Sequence, residues 1–200
     1  AAAIGELPAD ANLDSALLFA LADEAPSVRA QAARSLGRRR AVTAVATLEA
    51  ATADPEPQVR SAASKALGAC ILATAGTQRA SGLEVLRRLA QHEDPVVAAP
   101  CLEQLGRLGE KADLELLAAA LGREDAETIK AALRGLGGRV DAIPAMVKLL
   151  DDARWDVRRA AVDALAACGP PAHASLAVRL KVERDALVKE ALEAALAAGA

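Results

Sequence analysis

One short phrase recurs along the 200 residues: an acid, four intervening residues, a valine, then a base. It reads Asp23 to Val28 and Arg29, Asp54 to Val59 and Arg60, and Asp152 to Val157 and Arg158, with Glu183 to Val188 and Lys189 in altered letters. Weaker copies align at Val97 and Thr128. The valine column therefore falls at 28, 59, 97, 128, 157 and 188, in steps of 31, 38, 31, 29 and 31 residues. A period of about 30 residues belongs to stacked small units, each covering its neighbour's apolar face, and not to one globular core.

Hydrophobic residues make up 53% of the chain but aromatics only 1%, namely Phe19 and Trp155. The apolar mass is Ala, Leu and Val. Alanine has the highest helix propensity and lets helices approach closely, so the chain is expected to be all-helical. Each unit reads as helix, turn, helix. Val59, Ala63, Leu67 and Cys70, and equally Val157, Ala161, Leu165 and Cys168, mark the inward stripe of a second helix. Pro26, Pro57 and Pro95 stand two residues before the column, where proline starts a helix without losing a hydrogen bond.

Gly37, Gly68, Gly106 and Gly137 each follow a leucine and read as left-handed helix stops. The helix pairs are placed at about 13–38, 42–73, 79–109, 111–138, 141–168 and 170–198, in one array spanning residues 1–200. The long 38-residue step contains Ala73 to Gly82, read as a longer small-residue connection and either a hinge, a functional loop or a tolerated insertion. Ala1 to Gly5 matches the close of a unit, and neither end offers a polar cap, so the chain reads as a segment of a longer protein.

Asp54-Pro55-Glu56-Pro57-Gln58-Val59-Arg60-Ser61-Ala62-Ala63, followed by Ala66-Leu67-Gly68, resembles the HEAT repeat. So does Ala142-Ile143-Pro144-Ala145-Met146-Val147-Lys148-Leu149-Leu150-Asp151-Asp152, and the variety it resembles is the short one of phycobilisome-lyase-like proteins. The resemblance implies a right-handed α-α superhelix of about six helix pairs, with second helices lining the concave side. It also implies a structural ladder between adjacent units, made by the turn acids Asp23, Asp54, Asp152 and Glu183 with the bases Arg29, Arg60, Arg158 and Lys189. Units three and four depart from it, with His92 and Ala98, and Arg123 and Ile129, at the ladder positions. Weaker polar registration and flexing are expected around residues 74–130.

Little in the sequence points to catalysis. His92 and His173 are far apart in sequence, and no His or Cys cluster has metal-ligand spacing, so no metal or other cofactor is expected. No phosphate loop, dinucleotide or hydrolase motif occurs. Cys70, Cys101 and Cys168 occupy small-residue core positions and read as reduced and buried, which favours a reducing compartment such as the cytoplasm.

Surface charge supplies the site expectation. Positions two and six after the valine column are expected to face away from the core. They place Arg34, Lys65, Lys130, Arg134 and Arg159 in a broken basic strip suited to an acidic peptide, a protein face or a phosphate-bearing ligand, against the alternative of ordinary solvated charge. Trp155 replaces the helix-starting proline and is either a partner anchor or a residue packed on the adjoining turn. Arg38, Arg39 and Arg40 are read into a turn, touching free helix carbonyls or nucleic acid.

The reading that follows is a non-catalytic protein–protein interaction scaffold with a partner on the second-helix face. The resemblance also brings in a phycobilin lyase-like chromophore handler and a HEAT-like DNA-repair protein. Too few aromatics for base stacking or a chromophore pocket, and a net charge of −3, weigh against both. No apolar run reaches the roughly 18 residues of a membrane span. Self-association through bare array ends is a further expectation.

Overall fold

A computed structural model describes residues 11–108 and 110–198; the match of Ala1 to Gly5 to a unit's close lies outside the described residues. Those residues form twelve α-helices joined by short turns, with no strand among them. They gather into two compact units, 1–104 and 105–200.

In the first unit, α1 (Ala11–Ala20) pairs with α2 (Pro26–Arg39), and α3 (Val45–Ala51) with α4 (Pro57–Leu72); α5 (Gly76–Leu89) precedes α6 (Pro95–Leu108), in which the unit boundary falls. The two second helices pack on one another, α2 along α4. Pro26, Pro57 and Pro95 are the first residues of their helices, where a missing N–H leaves nothing unpaired. Val59, Ala63, Leu67 and Cys70 are wholly buried along α4. Val59 and Leu67 each contribute about 1.5–3 kcal/mol by leaving water, and the Ala63 methyl about 0.8 kcal/mol.

Two expectations are corrected here. The segment Ala73 to Gly82 is not a long connection: α5 begins at Gly76, so the link spans only Ala73 to Ala75 and the extra residues lengthen a helix. Ser81 and Gly82 look like breakers in the letters, yet Gly82 is buried mid-helix. A Cβ there would stand 2.8 Å from Ile71 Cγ2, so its smallness serves the α4–α5 contact. The glycine stops are corrected likewise. Gly37, Gly68 and Gly106 lie inside α2, α4 and α6, and Gly137 ends its helix with φ −53°. Left-handed backbone occurs instead at Arg40, Gly76, Gly138 and Gly169 among the described residues. Close packing is the reason: a Cβ on Gly37 would fall 2.8 Å from Ala66 Cα, and one on Gly106 would fall 2.2 Å from Gly135 Cα.

In the second unit, α7 (Lys111–Ala120) pairs with α8 (Ala126–Leu136). Next, α9 (Ile143–Val147) runs on into a 3-10 turn, Lys148–Asp151, before α10 (Trp155–Ala166); α11 (Pro170–Leu180) and α12 (Ala186–Ala197) follow. Second helices again stack on one another, α8 on α10 and α10 on α12. Thr128, Val157 and Val188 of the repeated column are fully buried, as are Val59 and Val97 in the first unit, whereas Val28 is half-buried. Asp125 and Asp185 cap α8 and α12, accepting from Thr128 N at 2.7 Å and from Leu187 N at 3.0 Å.

Candidate partner-binding surface

The turn before each second helix is organised by an acid. Asp23, Asp54 and Asp152 accept the backbone N–H two residues on, at 2.8, 2.9 and 2.9 Å, and Glu183 does the same to Asp185 at 2.9 Å. The base after the valine then acts twice. Arg29 donates from Nη1 to the carbonyls of Asp23 and Glu24 in its own turn, and from Nε and Nη2 to the Asp54 carboxylate at 2.7 and 2.9 Å. Arg60 grips the carbonyls of Asp54 and Pro55 and reaches Asp94 Oδ2 at 2.7 Å. In the second unit Arg158 holds the carbonyls of Asp152 and Ala153 and meets Glu183 at 2.9 and 3.1 Å. Paired planar groups of this kind fix geometry as well as adding energy. The Arg29 guanidinium holds the Asp54 carboxyl below its ordinary range.

Lys189 is exposed and forms no ion pair among the described residues. Where the phrase breaks, neighbouring residues take over. His92 Nδ1 accepts Asp94 N at 3.0 Å, doing the turn half of the acid's work, while Asp94 receives Arg60. The expected loss of polar registration at the third unit is therefore corrected on its Arg60 side. In the second unit Ile129 cannot pair, but the adjacent Lys130 donates to Asp156 at 2.8 Å and pairs with Glu127 at 2.7 Å. Asp156 and then Glu127 hold the Lys130 ammonium above its ordinary pKa. Asp152 is instead taken by Arg154, which also donates to the Glu124 carbonyl at 2.6 Å. Fixed spacing from the valine missed Asp94 and Asp156; the Asp before Pro95 was the available signal for the first.

The strip positions separate by use. Arg34 and Lys65 are exposed, and neither forms a hydrogen bond or ion pair among the described residues. Lys130 is committed to its two carboxylates. Arg159 pairs with Asp163 at 3.2 Å and donates to the Leu187 carbonyl at 3.3 Å. Arg134 is exposed near the end of α8. Of the positions two after the column, Ala30 and Ala99 are buried against expectation, Ser61, Lys130 and Arg159 are half-buried, and Glu190 is exposed. Trp155 begins α10 with 48% of its surface exposed. Arg38 and Arg39 belong to the last turn of α2, not to a free turn, and Arg39 pairs with Asp14 of α1 at 2.5 Å.

The grooves follow from this packing. Between α2 and α4, Arg34, Arg38, Ser61 and Lys65 rim a groove of about 440 Å³ floored by Gly37, Ala62, Ala66 and Ala69. Another, of about 450 Å³, runs between α3 and α5 past Val45, Thr77, Gln78 and Ser81. A third, of about 320 Å³, lies in the second unit against Val147, Leu150, Val178 and Val182. Burial pushes the Cys70 and Cys101 thiols up to about 12 and raises that of Cys168. His173 is half-buried in the first turns of α11. Among the described residues no three His, Cys, Asp or Glu gather as a metal site, and no helix is long and apolar enough to cross a membrane.

Consecutive helix pairs whose second helices stack and are stitched by turn acids define a helical repeat protein of the α-solenoid class. Sequence comparison makes the assignment specific: the model of HEAT repeats matches residues 14–80, 69–137 and 119–197, and the chain belongs to that family. No curated protein sequence matches it significantly. Solved structures share the fold. The Escherichia coli protein YibA matches at TM-score 0.75 and 18% identity, over 97% of this chain and 71% of that one. Human deoxyhypusine hydroxylase in complex with glycerol matches at 0.52 and 21%, over 97% and 75%. A designed armadillo repeat protein in complex with the peptide (KR)4 matches at 0.59 and 20%, over 92% and 98%.

Proposed function

We propose that the chain is a non-catalytic interaction scaffold that receives a protein partner on the face formed by its second helices. One observation carries this reading. In the second unit Lys130 and Arg159 are neutralised by internal carboxylates, while in the first unit Arg34 and Lys65 stand exposed beside a groove with no internal acid among the described residues. Exposed charge of one sign, uncompensated within the fold, steers and orients a complementary partner. Arg134 and Trp155 supply further exposed contacts in the second unit.

The designed relative holding (KR)4 supports peptide docking as a use of such a fold. A non-catalytic role fits side chains already occupied or shielded: His92 closes a turn, and the cysteines are buried with raised pKa values. Three buried free thiols also fit a reducing compartment such as the cytoplasm. Four of the five steps, at 29 to 31 residues, favour the short, phycobilisome-lyase-like variety of repeat.

The test is selection of binders from an unbiased displayed-peptide library. Each binder is then re-measured on a chain carrying Arg34→Glu, Lys65→Glu, Arg134→Glu and Arg159→Glu. Binders lost on reversal support docking on the second-helix face. Binders indifferent to all four, or no binders, sink it.

A further inference from the structure

We propose that the groove between α2 and α4 seats an acidic, unphosphorylated segment of the partner in extended form, its carboxylates received by Arg34 and Lys65. The inference rests on the scaffold reading and specifies its occupant.

The lining of this groove carries cations and no acid: Arg34, Arg38 and Lys65, with the Ser61 hydroxyl. The chain as a whole carries −3, so the local sign opposes the global one. Arg34 and Lys65 have no internal pair among the described residues that a ligand must first break. A guanidinium fork receives a carboxylate in two parallel bonds, and an ammonium adds a point charge beside it.

The floor argues for an extended segment. Gly37, Ala62, Ala66 and Ala69 offer nothing larger than a methyl group, so a peptide backbone can lie close against it. The same floor argues against phosphate. Residues 34–38 and 61–69 lie inside α2 and α4, where backbone N–H groups are already used in the helix. Phosphate sites built on the backbone gather free N–H groups at a helix start or nest, and no residue lining this groove offers one, which leaves the side-chain cations to a carboxylate.

The experiment is fluorescence anisotropy of the intact chain with a labelled glutamate octapeptide, and with a lysine octapeptide as the opposite-charge control, at low salt. Two variants receive the same change of net charge: Arg34→Glu with Lys65→Glu, and Lys148→Glu with Lys181→Glu, the latter exposed in the second unit. Circular dichroism confirms that both remain helical. The expected result is binding of the acidic peptide alone, weakened about tenfold or more by the first pair and little by the second. Equal weakening by both pairs overturns the proposal, because the attraction is then general. Displacement by equimolar inorganic phosphate overturns it in favour of an anion site. Absence of acidic-peptide binding, while library-selected peptides still bind the second-helix face, overturns the acidic occupant alone. Loss of every peptide overturns the scaffold reading with it.

Discussion

The Glu183 carboxylate and the Arg158 guanidinium meet through two bonds, Nε to Oε2 at 2.9 Å and Nη2 to Oε1 at 3.1 Å, joining α10 to the turn before α12. Arg179 donates twice more to Oε2, at 3.0 and 2.7 Å, and the N–H groups of Arg184 and Asp185 each reach Oε1 at 2.9 Å. The Glu183 side chain keeps 1% of its surface exposed. Burial works against its charge, yet Arg158, the backbone N–H groups and Arg179 outweigh it and hold the carboxyl at about 2, down from 4.5.

That depression has a defined pH consequence. A carboxyl more acidic in the folded state stabilises fully above its unfolded value of 4.5, and loses that contribution as pH falls through about 2. Glu183→Gln keeps the shape but removes the charge facing two arginines, and is expected to cost about 3 kcal/mol at neutral pH. Urea midpoints measured from pH 7 down to pH 2 should converge for the two proteins at the acid end. A constant gap would show that shape, not charge, is what matters there.

Gly37→Ala tests whether glycine is needed for helix contact. The added methyl gains about 1 kcal/mol in helix propensity. It also lands 2.8 Å from Ala66 Cα, a backbone atom that cannot rotate away. Overpacking of this kind costs about 1–3 kcal/mol, so a net loss of up to about 2 kcal/mol is expected in chemical denaturation. A stabilised variant would return Gly37 to the role of an incidental helix residue.

Asp94 and His92 divide the work that one acid does elsewhere. Asp94→Ala removes both the Arg60 contact and the acceptor for Val96 N at 2.9 Å, and should cost about 1–2 kcal/mol. His92→Ala removes an exposed turn acceptor and should cost about 0.5 kcal/mol or less. Equal losses would contradict the division.

The contrast shows what the letters carried. Helix starts at Pro26, Pro57 and Pro95 were legible because proline tolerates few places in a helix. The stripes of Val59 to Cys70 and Val157 to Cys168 were legible because burial imposes a period near 3.6. Gly37, Gly68 and Gly106 were misread, since a residue without Cβ serves equally at a left-handed stop and at a close helix crossing, and only the partner helix decides. Position two after the column was misassigned at Ala30 and Ala99, small residues that the packing buries. Lys130 looked free because its partner Asp156 lies 26 residues on and outside the repeated phrase. The Arg34 and Lys65 surface was legible as charge, but that no acid among the described residues pairs with it was visible only in three dimensions.

Cysteine reactivity offers a separate check. Thiolate is the reactive form, and burial lifts Cys70 and Cys101 to about 12. At pH 8 Cys70 and Cys101 of the folded chain should react with a disulfide reagent at least about a hundredfold more slowly than in denaturant. Rapid labelling of Cys70 or Cys101 in the native state would mean that the second-helix stack opens readily.

Hydrogen exchange distinguishes a helix from a loop at residues 76–82. The amides of Gly76, Thr77 and Gln78 fall in the first turn of α5, where N–H groups have no partner within the helix, and should exchange fast. Arg79 N already donates to the Ala75 carbonyl at 3.3 Å, and the amides beyond it continue the helix. Ala80, Ser81 and Gly82 should therefore share the protection of Leu83 and Leu86, whose side chains are buried. Protection rising between Gln78 and Ala80 would mark the helix start where Gly76 and its left-handed backbone place it. Unprotected exchange through Gly82 would instead restore a long connection and remove one wall of the groove between α3 and α5.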